Sequence, residues 1–203
     1  MIDSQSRSMD NQKESLRTLG RSISLSQGEF AIILLHCNYE LLRQHVVEQL
    51  PKYCTVPFQE LFLSPSTQTL YQAIQAEIDQ EESPNALIVS GLEKVDDLDS
   101  LFLADNNARD EFRKHFAFPL VLWVTYDVQQ KLRQFAPDLK GFAATPIEFD
   151  LTTEQLIDFL QENIDRVFAT VLAARDNIFG QTIKGSKPLY SHHENSLKQS
   201  GCL

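Results

Sequence analysis

Two periods organise the chain. Short apolar runs that suit buried strands alternate with longer stretches in which apolar residues recur every three or four positions, as on one helix face. FAIILLHC at 30–37 is the most apolar run of the first half. It leads straight to Asn38 and a helical pattern of Leu41, Leu42, Val46, Val47 and Leu50, with Pro51 at its end. Asn38 is a favoured N-cap residue, so this reads as strand, very short turn, helix. VPFQELFL at 56–63 is a second strand, broken by Ser64-Pro65-Ser66 and followed by a helix carrying Leu70, Ala73, Ile74 and Ile78. The central strand falls at 85–90 and gives way to Gly91 and an acidic loop from Asp96 to Asp99. The stretch 98–116 is helical in its later half, with Ala108, Phe112 and Phe116 inward. PLVLWVT at 119–125 reads as a strand buried on both faces, and 127–136 as a helix with Val128, Leu132 and Phe135, ended by Pro137-Asp138. TPIEFDL at 145–151 is the last strand.

The ends are different. Residues 1–10 are polar without periodicity and are expected to lack fixed structure. Residues 11–27 carry Leu16, Leu19, Ile23 and Leu25 near helical spacing, with Gly28 as a stop. The longest helix is expected over about 153–178, with an apolar stripe of Leu156, Phe159, Leu160, Ile164, Val167, Phe168, Val171 and Leu172. Residues 180–203 read as a polar tail or linker. One α/β domain over 11–179 follows. Strands spaced by helices imply a parallel sheet with right-handed crossovers, hence a three-layer α/β/α architecture with five strands.

Composition narrows the function classes. At 203 residues and 42% hydrophobic, the chain can bury one real core. No apolar run approaches the ~20 residues that span a bilayer, and the N-terminus lacks the apolar core of a secretion signal. Cys37, Cys54 and Cys202 have no metal-ligand spacing, so a cytoplasmic protein with reduced thiols is the expectation. The net charge of −10 is uneven: +1 over residues 1–28, +2 over 180–203, and 11 basic against 24 acidic residues, or −13, between. Such a body repels phosphate backbones and argues against nucleic acid as a partner.

Chemistry in an open parallel sheet belongs at the carboxyl ends of the strands. A phosphate-binding loop there needs glycines, so that backbone N–H groups wrap the phosphates, and a lysine for their charge. The first strand runs instead into HCNYELLR at 36–43, with no glycine, no lysine and no room. The central strand ends in ALIVSGLEKV at 86–95, which offers Ser90 and Glu93. Glu93 with Asp96, Asp97 and Asp99 has no defined ligand spacing and reads as solvated acids rather than a cation site. Cys37 and His36 are neighbours on a strand, so they point to opposite faces and do not share a proton. Trp123 reads as core. Arg109 and Arg113, with Lys114, begin a basic patch on an otherwise acidic body: an ion-paired helix face or a contact for a partner. His192-His193 do not make a metal site.

Taken together, the strand–Cys37-Asn38–helix unit at 30–43, IVSGLEKV at 88–95, NNARDEFRKHFAFPLVLWVTYD at 106–127 and FAPDLKGFAATPIEF at 135–149 resemble one known module. It is the degenerate P-loop domain near the N-terminus of many bacterial, often cyanobacterial, signalling proteins of the STAND class. There it commonly precedes tetratricopeptide or other repeats. The resemblance covers about residues 15–178 and implies the strand order 5-1-4-3-2. It places Ser90 where an active member has its magnesium aspartate, Glu93 near the second acid and Thr125 at the polar sensor position, with Tyr126-Asp127 where Ser-Arg often follows. It therefore implies a catalytically inactive module without a cofactor, a scaffold or switch that binds a protein partner or oligomerises. The alternative is an atypical ATP- or GTP-binding domain of a larger repeat protein, holding nucleotide and magnesium through Asn38, Ser90, Glu93 and Thr125.

Overall fold

The computed structural model describes residues 2–78, 83–151, 156–161, 164 and 168. Met1–Leu151 and Thr152–Leu203 are separate compact units. In the first unit, helix α1 (Ile2–Leu25) leads to strand β1 (Ala31–His36), helix α2 (Glu40–Gln49) and a 3-10 turn over Leu50–Lys52. Strand β2 (Gln59–Phe62), helix α3 (Leu70–Glu77) and strand β3 (Leu87–Ser90) follow, then a 3-10 turn over Leu92–Lys94. Helices α4 (Leu98–Asn107) and α5 (Arg109–His115) precede strand β4 (Pro119–Val124), helix α6 (Tyr126–Phe135), helix α7 (Pro137–Lys140) and strand β5 (Ile147–Glu148).

The five strands form one all-parallel sheet ordered β2-β3-β4-β1-β5, the expected order read from the other edge. β1 and β4 pair along their whole length, from Ala31 opposite Pro119 to His36 opposite Val124. Every residue of β4 is buried, as its unbroken apolar run requires of a strand covered on both faces. On one face Ile32, Leu34, Val89, Leu122 and Val124 pack with Leu70 of α3, Phe102 of α4, Phe112 of α5 and Val128 of α6. The other face buries Ile33, Leu35, Val121 and Trp123, with Leu19 and Ile23 of α1 and Leu42 and Val46 of α2 also buried. The β1-to-β2 crossover runs toward one sheet edge and the later crossovers run toward the other. Right-handedness thus sends α2 to one face and α3–α7 to the other.

Two glycines are fixed by geometry. Gly91 has φ 95° and lies against Leu63, in the left-handed region where a side chain is strained. Gly20 of α1 lies so close to the turn after α2 that a Cβ there would sit 2.4 Å from the Tyr53 carbonyl oxygen.

Several boundaries differ from the sequence reading. The first helix begins at Ile2 rather than near residue 11, taking in residues expected to lack structure. The 98–116 stretch is two helices meeting at Ala108. Asp97, expected in a loop, caps α4 by accepting the Ser100 N–H at 3.1 Å, so the helix starts at Leu98. Pro137 opens α7 as well as closing α6, because its missing N–H is no loss at a first helical position. β2 and β5 are shorter than 56–63 and 145–151. Of the long helix expected over 153–178, residues 156–161 are helical, and Leu160, Ile164 and Phe168 are exposed rather than buried. Its other parts and the 180–203 tail lie outside the described residues.

Candidate functional site

The carboxyl ends of β1, β3 and β4 lie side by side, and the sequence candidates meet there. Only Cys37, Asn38 and Tyr39 separate β1 from α2. Asn38 does not cap α2: the N-cap is Tyr39, without a side-chain bond. Because β1 and β4 end in register, Asn38 instead reaches the next helix over, and its Oδ1 accepts the Tyr126 N–H at 3.3 Å. Thr125 Oγ1 accepts the Val128 N–H at 3.3 Å. Asn38 and Thr125 thus both serve the N-terminus of α6, one from a neighbouring strand and one as its own cap.

Glu93 has a partner that the sequence reading passed over. Arg43 sits one turn into α2 and is 6% exposed. Its Nε and Nη2 donate to the Cys37 carbonyl at 3.0 and 2.7 Å, and its Nη1 donates to Glu93 Oε1 at 2.6 Å. Its guanidinium carbon lies 6.0 Å from the centre of the Trp123 ring. The planar fork is what allows one side chain to hold a strand-end carbonyl and a carboxylate together. Trp123 is fully buried, packs edge-on against Phe149 at 5.8 Å, and its Nε1 has no hydrogen-bond partner among the described residues. Next to Arg43, Glu40 in the first turn of α2 pairs with Lys94 at 3.0 Å. The nearest cation is therefore spent inside the fold, and an acid stands at the helix end where an anion would sit.

Ser90 ends β3, and its carbonyl accepts the Leu63 N–H at 2.9 Å, holding β2 to the turn at Gly91. The neighbouring acids are dispersed: Asp97 caps α4, and Asp99 pairs with Lys131 at 2.5 Å. The Ser100 backbone N–H holds the Asp97 carboxyl below its usual range. No group of three metal-ligating side chains occurs among the described residues. Cys37 is buried, which pushes its thiol up and away from the nucleophilic thiolate form. His36 faces away from it and pairs with Glu148.

Arg109 and Arg113 are not brought together with these residues. Arg109 Nη1 donates to the Asn106 carbonyl at 3.2 Å and lies 3.8 Å from Asp138. Asn106 Oδ1 accepts the Asp138 and Leu139 N–H groups at 2.9 and 3.1 Å, capping α7. Asn106 and Arg109 thus fasten the α4–α5 junction to α7 at Asp138 and Leu139. Arg113 lies at the opposite end of the sheet, beside the start of β1.

Asp105, whose i−4 spacing from Arg109 reads as a helix-surface ion pair, is instead a second buried ionisable group, because α3 rather than Arg109 supplies its partners. Its carboxylate accepts the Leu70 and Tyr71 N–H groups at 2.9 and 3.2 Å and so fastens the start of α3 to α4. Burial pushes it up to about 7, against the downward pull of the two N–H groups. Arg43 and Asp105 share one sequence signal: each is a charge on an apolar helical stripe, Arg43 with Val46 and Leu50, Asp105 with Leu98, Leu101 and Phe102.

No protein-family model matches the chain, and no curated protein matches it in sequence. Among solved structures, the chain is similar to the Aeropyrum pernix ORC2 protein in its ADP form, at 10% identity and a TM-score of 0.46. The match covers 75% of this chain and 51% of that one, so the chain spans about half of its length. A likeness of that degree describes no site. No helix among the described residues is long and apolar enough to cross a membrane.

Proposed function

We propose that this chain is an inactive P-loop-like module of the STAND kind, working as a protein-interaction scaffold or regulatory switch rather than as a nucleotide hydrolase. The observation that carries the reading is the Arg43–Glu93 pair on the Cys37 carbonyl. Phosphoryl transfer depends on cations and N–H groups aimed at the phosphates and on an acid free to position magnesium or water. Here the guanidinium beside the first strand end is committed to the fold, and Glu93 is committed to it. Asn38 and Thr125 are engaged as caps of α6. The partner is a protein or a second copy, since the acidic body disfavours nucleic acid.

Phosphate release from magnesium-ATP and magnesium-GTP tests the proposal. The purified chain is expected to release no more than a blank, and Glu93→Gln to leave that unchanged. Release above the blank that drops in Glu93→Gln restores the enzyme reading.

A further inference from the structure

At the end of the sheet opposite Asn38 and Glu93, an open depression of about 560 Å³ is lined by Glu29, Phe30, Arg113, Phe116, Ala117 and Phe142. Its size falls within the range of small-molecule pockets. Phe30 and Phe142 are half-buried and meet edge to face with centroids 5.5 Å apart. Phe116 is 4% exposed and, with the fully buried Phe112 5.6 Å away, backs these rings from the core side.

The charge at this wall is unevenly satisfied. The last turn of α5 holds Arg113, Lys114 and His115. Lys114 pairs with Glu111 at 2.7 Å, and His115 meets the Tyr71 hydroxyl at 2.9 Å. Arg113 alone of the three has no hydrogen bond or ion pair among the described residues, and it is exposed. Its fork of five donors has the geometry to grip a carboxylate. Glu29 is the one acid of the lining and disfavours a second negative charge on a ligand.

We propose that this depression binds a small organic monoanion with an aromatic body, the ring against the half-buried Phe30 and Phe142 and the carboxylate on Arg113. The site is independent of the strand-end residues, so it stands whether or not nucleotide binds there. Offset and edge contacts to phenylalanine rings favour an aromatic body over a compact anion. The unpartnered guanidinium favours an anion over a cation or a neutral analogue.

The test is 19F NMR of 4-fluorophenylacetate titrated with the full chain, alongside 4-fluorophenethylamine as the cationic analogue. Saturable binding of the acid and none of the amine is expected. Arg113→Gln should weaken the acid about fivefold, the loss expected of one solvent-accessible charge-assisted contact. Glu29→Gln should tighten it, and Ala117→Trp should abolish it by filling the depression from an exposed position. Arg113 is exposed and outside the core, so its variant keeps the test decisive if Ala117→Trp does not fold. No saturable binding, equal binding of the amine, or unchanged affinity in Arg113→Gln overturns the proposal.

Discussion

The guanidinium of Arg43 donates to Glu93 Oε1 at 2.6 Å while also holding the Cys37 carbonyl, so α2, the end of β1 and the turn after β3 are tied at one side chain. The pair is mostly out of water, with side chains 7% and 25% exposed. Such a pair contributes little net stability against an apolar replacement of the same shape, but breaking it from one side strands the other charge. Arg43→Ala is therefore expected to destabilise the domain by about 2–4 kcal/mol, losing the carbonyl's donors as well. Glu93→Gln keeps an acceptor, and Arg43 keeps the Cys37 carbonyl, but the buried guanidinium loses its counter-charge, so this change should cost about 1–3 kcal/mol, less than Arg43→Ala. Urea unfolding midpoints check the order. No loss in Glu93→Gln beside a full loss in Arg43→Ala would mean that Arg43 acts through packing alone.

Asp105 makes the stability depend on pH with a definite sign. Its carboxyl is pushed up from 3.8 to about 7 in the folded protein. Between those values the folded state binds more protons at this site than the unfolded state does. Its contribution is fully present below about pH 4 and is lost as pH rises toward 7, a decline on the order of a few kcal/mol. Asp105→Asn should flatten this part of the profile. The difference between the unfolding free energies of wild type and variant at a series of pH values isolates it. A difference that does not change over that window contradicts the assignment.

Gly20 should be intolerant of a side chain. A helical Gly→Ala change ordinarily stabilises by about 0.5–1 kcal/mol. Here the added Cβ would meet the Tyr53 carbonyl oxygen at 2.4 Å, a backbone atom that cannot swing aside. The clash outweighs the helix gain, and Gly20→Ala is expected to lower stability by about 1–3 kcal/mol. A raised thermal midpoint would show that α1 moves freely over the Leu50–Lys52 turn.

The α4–α7 fastening separates a cap from a surface ion pair. Asn106→Ala removes the acceptor of two N–H groups and should cost about 1–2 kcal/mol. Arg109→Ala breaks a contact of 3.8 Å between half-exposed groups and should cost under about 0.5 kcal/mol. Chemical denaturation of both variants checks the order. A larger loss at Arg109 would reverse it.

The strands were legible because a parallel sheet covered on both faces writes its buried strands as apolar runs, such as Ala31–His36 and Pro119–Val124, whereas their order came only from the family resemblance. Helix starts were less legible. Asn38 has the chemistry of a cap for α2, yet the register of β1 against β4 delivers it to α6. Asp97 looked like one of several loop acids until its bond to Ser100 defined the start of α4. The partners of Arg43 and Asp105 were hidden for a different reason. A charge on an apolar stripe announces that something pairs with it, but the partners are 50 and 35 residues away in sequence, and only the fold supplies them. The exposed Leu160, Ile164 and Phe168 show the reverse limit: a helical stripe indicates an apolar face but not what covers it.

Calorimetric titration with magnesium-ATP, repeated with magnesium-GTP, asks whether the strand ends hold nucleotide at all. With Arg43 and Glu93 paired to each other, no saturable heat is expected at nucleotide concentrations up to about 1 mM, where the binding free energy would be about −4 kcal/mol. Saturable binding at about 50 µM or tighter, lost in Arg43→Ala, would show that this arginine is a phosphate ligand and would contradict the account.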